Sequence, residues 1–314
     1  MSSRAARLPT SQEPHGIKLR RFAGSALYAE AFEHPIRVAH LTDLHVGLVT
    51  PMRVQEAAVA IANREEPDLV VLTGDFVCHS HAFLEDLTEV LRGFRVPTFA
   101  VLGNHDYWAG APGVRKAIKR AGVELLTNQH TVLTIHGQKL QIVGLDDAYT
   151  GHADREKALR GFDPTLPSLG LSHIAEEADG LWAHGVPFVL SGHTHGGQLT
   201  VARLNELTLG RLAGHRYIHG MYGKRAPTHP ERHGAVYVGA GIGAAVVPIR
   251  VGDRGQREIA IFELGEAPGE NHEHHAEQRP HGPGRDTPEH IARARAHERF
   301  MQRKRRRFRA PREG

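Results

Sequence analysis

"FVLSGHTHGGQ", Phe188 to Gln198, decides how the chain is read. It opens as a short apolar run bounded by polar and glycine residues, the pattern of a buried strand. The run then ends on two imidazoles, His193 and His195, with one residue between them. Three glycines, Gly192, Gly196 and Gly197, strip side chains from the same turn. Taken alone, the stretch fits a His-rich turn as well as a metal site.

Four further apolar runs end in the same way. "IRVAHLTDLH" leads to Asp43 and His45, "DLVVLTGD" to Asp75, "TFAVLGNHD" to Asn104, His105 and Asp106, and "SLGLSH" to His173. Helical stretches around residues 53–64, 82–93 and 114–122 separate the first of these runs. Strand–helix alternation with apolar strands predicts an α/β core of buried parallel strands. Further on, "HTVLTIHGQKLQIVGL" reads as a hairpin turning near His136-Gly137-Gln138. "GAVYVGAGIG" and "REIAIFEL" read as closing antiparallel strands. The mixture predicts two packed mixed β-sheets flanked by helices, an αββα sandwich. In such a fold the strand ends at one edge form the ligand site, so five ends bring their polar residues into one cleft.

The expected organisation is a polar leader over residues 1–34 with at most one strand, a body over 35–265, and a disordered His/Pro/Gly linker and basic tail over 266–314. Within the tail, Thr287 and Pro288 mark a helix start. The chain of 314 residues is 40% hydrophobic and 24% charged, enough for one large domain or two small ones. Its one cysteine, Cys78, permits no intrachain disulfide and is compatible with a reducing compartment. The run "FAGSALYAEAF", Phe22 to Phe32, is too short to span a bilayer and carries Glu30. Arg20-Arg21 before it invites a twin-arginine export reading, which that internal charge and the core strand soon after disfavour. The expected location is cytoplasmic.

Charge is uneven. Residues 285–314 hold 11 basic and 4 acidic residues, a net of +7, which leaves −3 for the rest. An acidic body is a poor nucleic-acid groove. The tail offers a contact for an anionic membrane surface, making the protein peripheral there, or for nucleic acid; the plainer reading is a solubilising tail.

Asp, Asn and His donors without thiolate suit Mn, Fe, Zn or Ni better than a structural Zn–Cys site. Seven or eight donors exceed the needs of one ion and point to two divalent ions sharing them. Asp75 is the natural bridge, because Gly74 lets the backbone turn sharply at that strand end.

Asp-x-His, Gly-Asp, Gly-Asn-His-Asp, a lone His and Gly-His-x-His, in that order, resemble the signature of the calcineurin-like metallophosphoesterases. The resemblance runs from about Ile36 to Leu264. "GHTHGGQ", "GLDDAYTG" and "GAGIGAAVVPIR" are most similar to the bacterial YkuE/YaeI-type branch. It implies a dinuclear phosphoesterase that cleaves phosphodiesters or pyrophosphates with a hydroxide bridging two metals. Asp43, His45 and His195 would hold one ion, Asn104, His173 and His193 the other, and Asp75 both. His105 would face the substrate as acid or oxyanion partner. Relatives often carry Gly-Asp-x-x-Asp, whose second Asp orients that histidine, whereas this chain has Cys78 there. Asp106 is the candidate substitute, and Asp147 is a candidate hydrogen-bond partner for a ligand histidine. The alternatives are a non-catalytic metal-binding scaffold of the same fold and a tail-driven nucleic-acid or membrane-surface binding protein.

Overall fold

The computed structural model describes residues 8–24, 28, 31–78, 80–197, 215–223, 234–244, 255–273 and 278. The helix start at Thr287, the rest of the basic tail, His79, His274 and His275 lie outside them. Among the described residues the strands are β1 (Thr10–Glu13), β2 (Ile17–Ala23), β3 (Ile36–Leu41), β4 (Leu69–Thr73), β5 (Thr98–Val101), β6 (Glu124–Leu125), β7 (Gln129–Ile135), β8 (Gln138–Gly144), β9 (Ser168–Leu171), β10 (Phe188–Ser191), β11 (Gly220–Gly223), β12 (Ala235–Val238) and β13 (Arg257–Leu264). The helices are α1 (Met52–Arg64), α2 (Leu84–Arg92), α3 (Asn104–Ala109), α4 (Ala111–Arg120), α5 (Arg155–Ala158) and α6 (Glu177–Ala183).

The strands form two mixed sheets, β1-β2-β13-β3-β4-β5-β6 and β11-β12-β10-β9-β8-β7. Side-chain alternation explains the layers. Ile36, Val38, Leu69, Val71, Phe99 and Val101 of the first sheet meet Leu140, Ile142, Leu169, Leu171, Phe188 and Leu190 of the second in one core. The opposite pleats of the first sheet, Ala39, Leu41, Val70, Leu72 and Ala100, pack with Val54, Leu87, Leu91, Val114 and Ile118 of α1, α2 and α4. Val143, Val189 and Val236 of the second sheet pack with Ala178 and Leu181 of α6. The expected αββα sandwich is the observed architecture.

Parallel pairing of β3 with β4, β4 with β5, and β9 with β10 aligns their carboxyl ends. The β7–β8 hairpin turns at His136 and Gly137, both with positive φ, the geometry favoured in two-residue hairpins. The closing strands are antiparallel on one side only. β12 is antiparallel to β11 but parallel to β10, and β13 is antiparallel to β3 but parallel to β2.

Both outer boundaries also move. Ile17–Ala23 is an interior strand paired to β1 and β13, so the folded domain extends well before residue 35. Arg20 and Arg21 belong to that strand and are matched by Glu258 and Glu65. At the other end, residues 266–273 fold back onto β2. The Glu273 N–H donates to the Arg21 carbonyl (2.7 Å), the Glu273 carboxylate pairs with Arg20, and buried His272 bonds Glu263 (2.9 Å). The linker expectation fails for this stretch because His272 and Glu273 find partners on β13 and β2.

Candidate metal centre

Each strand end delivers its donors two to four residues past the last paired residue. Asp43 and His45 follow β3, Asp75 follows β4, Asn104 and His105 open α3 after β5, His173 follows β9, and His193 and His195 follow β10. The loops lock together through the backbone. The N–H groups of Asp43 and His45 donate to the carbonyls of Gly74 (3.0 Å) and Asp75 (2.9 Å), and that of Gly192 to His173 (3.2 Å). Asp43, His45, Asp75, His193 and His195 all have φ between 45° and 75°. Left-handed backbone at β-carbon residues is uncommon and concentrates where function demands it.

The side chains converge on one point. Three groups lie with their ligand atoms within 4.8 Å of one another: Asp43, His45 and His195; His45, Asp75 and His105; and Asp75, His173 and His193. Asp75 sits at the centre. Its Oδ1 accepts the His105 N–H (2.9 Å), which leaves Oδ2 at 3.6 Å from His45 Nε2 and 3.4 Å from His173 Nε2. His45 Nε2 and His195 Nε2 face each other at 3.0 Å, and the latter is 3.3 Å from Asp43 Oδ1. The His173 Nδ1 lies 2.7 Å from the Thr73 carbonyl, so Nδ1 carries the proton and Nε2 turns inward.

The donor set fits divalent cations. Asp43 Oδ1, Asn104 Oδ1 and His45 Nδ1 are buried with no hydrogen-bond partner among the described residues. Buried polar atoms are rarely left so, and two oxygens of this kind beside four imidazoles suit positive charge. Titration agrees. Burial lowers His173, but the Asp75, Asp43 and Asp147 carboxylates overcome it and raise the ring to about 10. Burial opposes ionisation of Asp75, yet His173 and His105 hold it well below the usual carboxylate range. Burial, together with neighbouring imidazoles, keeps His45 and His193 well below an ordinary histidine and hence neutral.

Two glycines permit the close approach. A β-carbon on Gly192 would lie 2.4 Å from Asp43 Oδ2, and one on Gly103 2.3 Å from Asp75 Oδ1. Asp43 Oδ2 is itself fixed by the Thr42 hydroxyl (2.7 Å) and the His193 N–H (3.1 Å).

Asp106 and Asp147 do not play the parts expected of them. Asp106 accepts the backbone N–H groups of Asp75, Phe76, Val77 and Gly103 at 2.8–3.3 Å. It therefore pins the Asp75 loop and makes no bond to the His105 ring. Burial and the Asp75 carboxylate push it up to about 8, against the pull of these donors. Asp147 accepts the N–H groups of Tyr149 and Thr150 and the Thr150 hydroxyl, so it closes a strand-end turn and bonds no ligand histidine. The group beside His105 is instead the Cys78 main-chain carbonyl, 3.0 Å from Nδ1. The Cys78 thiol turns away toward the carbonyls of His45 and Ala244 (3.6 Å each), and burial, with Asp75, raises it to about 11.

Other contributors were not identified from the sequence. The N–H groups of Ile242 and Gly243 donate to the Thr42 and Asp43 carbonyls (3.1 and 2.7 Å), seating the "GAGIG" loop on the Asp43 turn. That loop is anchored from below by Glu258, whose carboxylate takes Arg20 (2.9 Å), His219 (2.9 Å), the Tyr237 hydroxyl (2.6 Å) and the Ala240 N–H (3.4 Å). The late glycines were the available signal for the loop; nothing in the local sequence marks Glu258.

Two packed sheets with clustered Asp, Asn and His donors at their aligned strand ends define a metallophosphoesterase architecture. The family model for calcineurin-like phosphoesterases matches residues 36–197, and the chain belongs to this family of hydrolases. It is similar to the Escherichia coli protein "Phosphodiesterase YaeI", at 30% identity over 73% of this chain and 82% of that protein. It is also similar to "UDP-2,3-diacylglucosamine pyrophosphatase LpxG" of Chlamydia trachomatis, at 25% identity over 74% of this chain and 85% of that protein. Among solved structures, the NAD nucleotidase NadN of Haemophilus influenzae shares the fold with a TM-score of 0.51. That match is 15% identical and covers 67% of this chain and 46% of NadN.

Proposed function

We propose that the chain hydrolyses phosphodiester or pyrophosphate bonds with two divalent ions held by its strand-end donors. The observation that carries this reading is the set of buried oxygens of Asp43 and Asn104 without partners, around a carboxylate, Asp75, that faces three imidazoles. Asp43, His45 and His195 would hold one ion, Asn104, His173 and His193 the other, and Asp75 would serve both. Such ions acidify water and offset charge on phosphoryl oxygens. Manganese is the first ion to supply.

The chain's own groups do the rest. Burial of the donors excludes bulk water from the floor of the site. His105 is half-buried, with Nδ1 against the Cys78 carbonyl. With the proton on Nδ1, Nε2 points to the same side as Asp75 Oδ2, 4.0 Å away. From there a doubly protonated ring, its Nδ1–H kept on the Cys78 carbonyl, would direct Nε2–H at the phosphoryl oxygens and the leaving oxygen, pass that proton to the latter and be left neutral. The phosphodiesterase and pyrophosphatase relatives support a substrate with a second substituent on phosphorus.

The test is direct. Purified protein is expected to carry or take up about two divalent ions and to cleave bis(4-nitrophenyl) phosphate with Mn²⁺. His105→Ala should keep the metal and lose turnover by about 10²–10⁴-fold, the usual worth of a positioned acid. Loss of metal instead, or bound metal with no turnover on a panel of esters, would favour the scaffold alternative. A partner for the +7 tail is an extension of this reading: deleting residues 285–314 should weaken binding to anionic liposomes or to RNA. Unchanged binding to both would dismiss a tail partner. Among the described residues no helix is long and apolar enough to cross a membrane.

A further inference from the structure

Five rings form a continuous arc along one side of the centre. Trp108 packs on His105 with ring centroids 4.6 Å apart, Tyr149 meets Trp108 at 6.0 Å and His193 at 5.3 Å, and His215 meets His193 at 5.0 Å. They come from α3, from the loop after β8, from the turn after β10 and from the stretch before β11. All five are half-buried, whereas Asp43, His45, Asp75, Asn104 and His173 beneath them are buried. The arc is therefore the rim of the site, and its members flank both the candidate acid and a candidate ligand.

The rim's chemistry is selective. Among the described residues, the arc itself includes no lysine, arginine or carboxylate. Arg216, next in the chain, is drawn off to Asp179, and His215 is held from behind by Glu176 (3.4 Å). A surface of π faces and edges rewards planar rings by stacking, while a saturated group of equal size gains only its buried area.

We infer that this arc is a subsite for a planar aromatic group carried by the phosphoester, beside the phosphorus under attack. The inference rests on the metal-dependent reading above. It makes Trp108 and Tyr149 specificity residues, with Tyr149 bridging the acid side of the site to the His193 side.

Calorimetry on Mn²⁺-loaded protein with phenylphosphonate and cyclohexylphosphonate tests it without turnover. The two ligands share the metal-seeking group and differ in planarity. Wild type should bind the phenyl compound about tenfold more tightly. Trp108→Leu combined with Tyr149→Leu should bring the two affinities together, and Trp108→Phe should keep most of the gap. A matching gap between uridine 5′-monophosphate and ribose 5-phosphate would assign the ring to a nucleobase; a gap for the phosphonates alone would assign it to an aryl ester. Equal affinities in wild type, or a gap that survives both leucines, overturns the subsite. Failure of both phosphonates to bind would instead remove the metal-dependent reading on which it stands.

Discussion

Replacing Gly192 with alanine adds one methyl group at a close contact with the Asp43 turn. The new β-carbon would lie 2.0 Å from Thr42 Oγ1, 2.4 Å from Asp43 Oδ2 and 3.0 Å from Thr42 Cβ, where real β-carbons do not approach below 3.0 Å. Gly192 does not have a positive φ, so alanine meets no backbone penalty and the effect is steric. Thr42 and Asp43 must retreat by about 1 Å, and the Asp43 carboxylate cannot swing aside without losing the Thr42 and His193 bonds. Ligand distances tolerate about 0.2 Å, and a misplacement of about 1 Å costs on the order of 10²-fold in rate. Overpacking of this kind also costs about 1–3 kcal/mol of stability. Gly192→Ala should therefore bind less Mn²⁺ by elemental analysis, cleave bis(4-nitrophenyl) phosphate about 100-fold more slowly in kcat/KM, and melt several degrees lower. Gly122→Ala is the control: its φ is 81° and nothing lies within 4 Å, so it should lose only about 1 kcal/mol and no activity. A Gly192→Ala protein with wild-type metal content and rate refutes the close-approach argument.

Three further outcomes follow from the same geometry. Cys78→Ala should stay within about threefold of wild-type kcat/KM, less than 1 kcal/mol, because the carbonyl next to His105 survives. Cys78→Asp should be slower still, since its carboxylate would face the carbonyls of His45 and Ala244; a faster aspartate variant would show that the side chain orients His105. His40 is buried against Thr73 (2.8 Å), and burial lowers it to about 3. The unfolded chain binds a proton near pH 6.5 that the folded chain refuses until about 3, so this stability is complete above about 6.5 and is lost as pH falls toward 3. Urea unfolding of the metal-free protein should weaken by up to about 1.4 kcal/mol per pH unit below 6 through this group, and an unaltered slope in His40→Asn would contradict it. Glu258→Gln should cost about 3–5 kcal/mol in urea denaturation by leaving Arg20 short of its buried counter-charge; a loss under 1 kcal/mol would mean Glu273 suffices.

The sequence carried the site further than it carried the frame. Asp43, Asp75, His173 and His193 were legible because each closes an apolar run whose period and length mark a buried strand. β2 was not: "IKLRRFA" interrupts its apolar residues with Lys18, Arg20 and Arg21, and the distant Glu258, Glu273 and Glu65 are what make the two arginines tolerable inside a sheet. His272 was misread for the same reason, since its partner Glu263 becomes visible only once β13 is placed. Asp106 was assigned to a neighbouring ring because adjacency in sequence is not direction in space; its carboxylate points back into the Asp75 loop. The Cys78 contact was out of reach of any reading of side chains, because the atom that matters belongs to the main chain.

The candidate donors are split between the sheets. Asp43, His45, Asp75 and Asn104 follow strands of the first, while His173, His193 and His195 follow strands of the second. Ions shared between them would act as rivets, and the spacing between ions would be set by how the sheets ride on each other. The layer that fixes this is the apolar core of Phe99, Leu171 and Phe188, whose side chains are not among the donors. Thinning that layer should alter metal affinity and turnover without touching a ligand, and metal should in turn bind the sheets into a single melting unit. The hydrophobic interior would then double as the gauge of the distance between the two proposed ions.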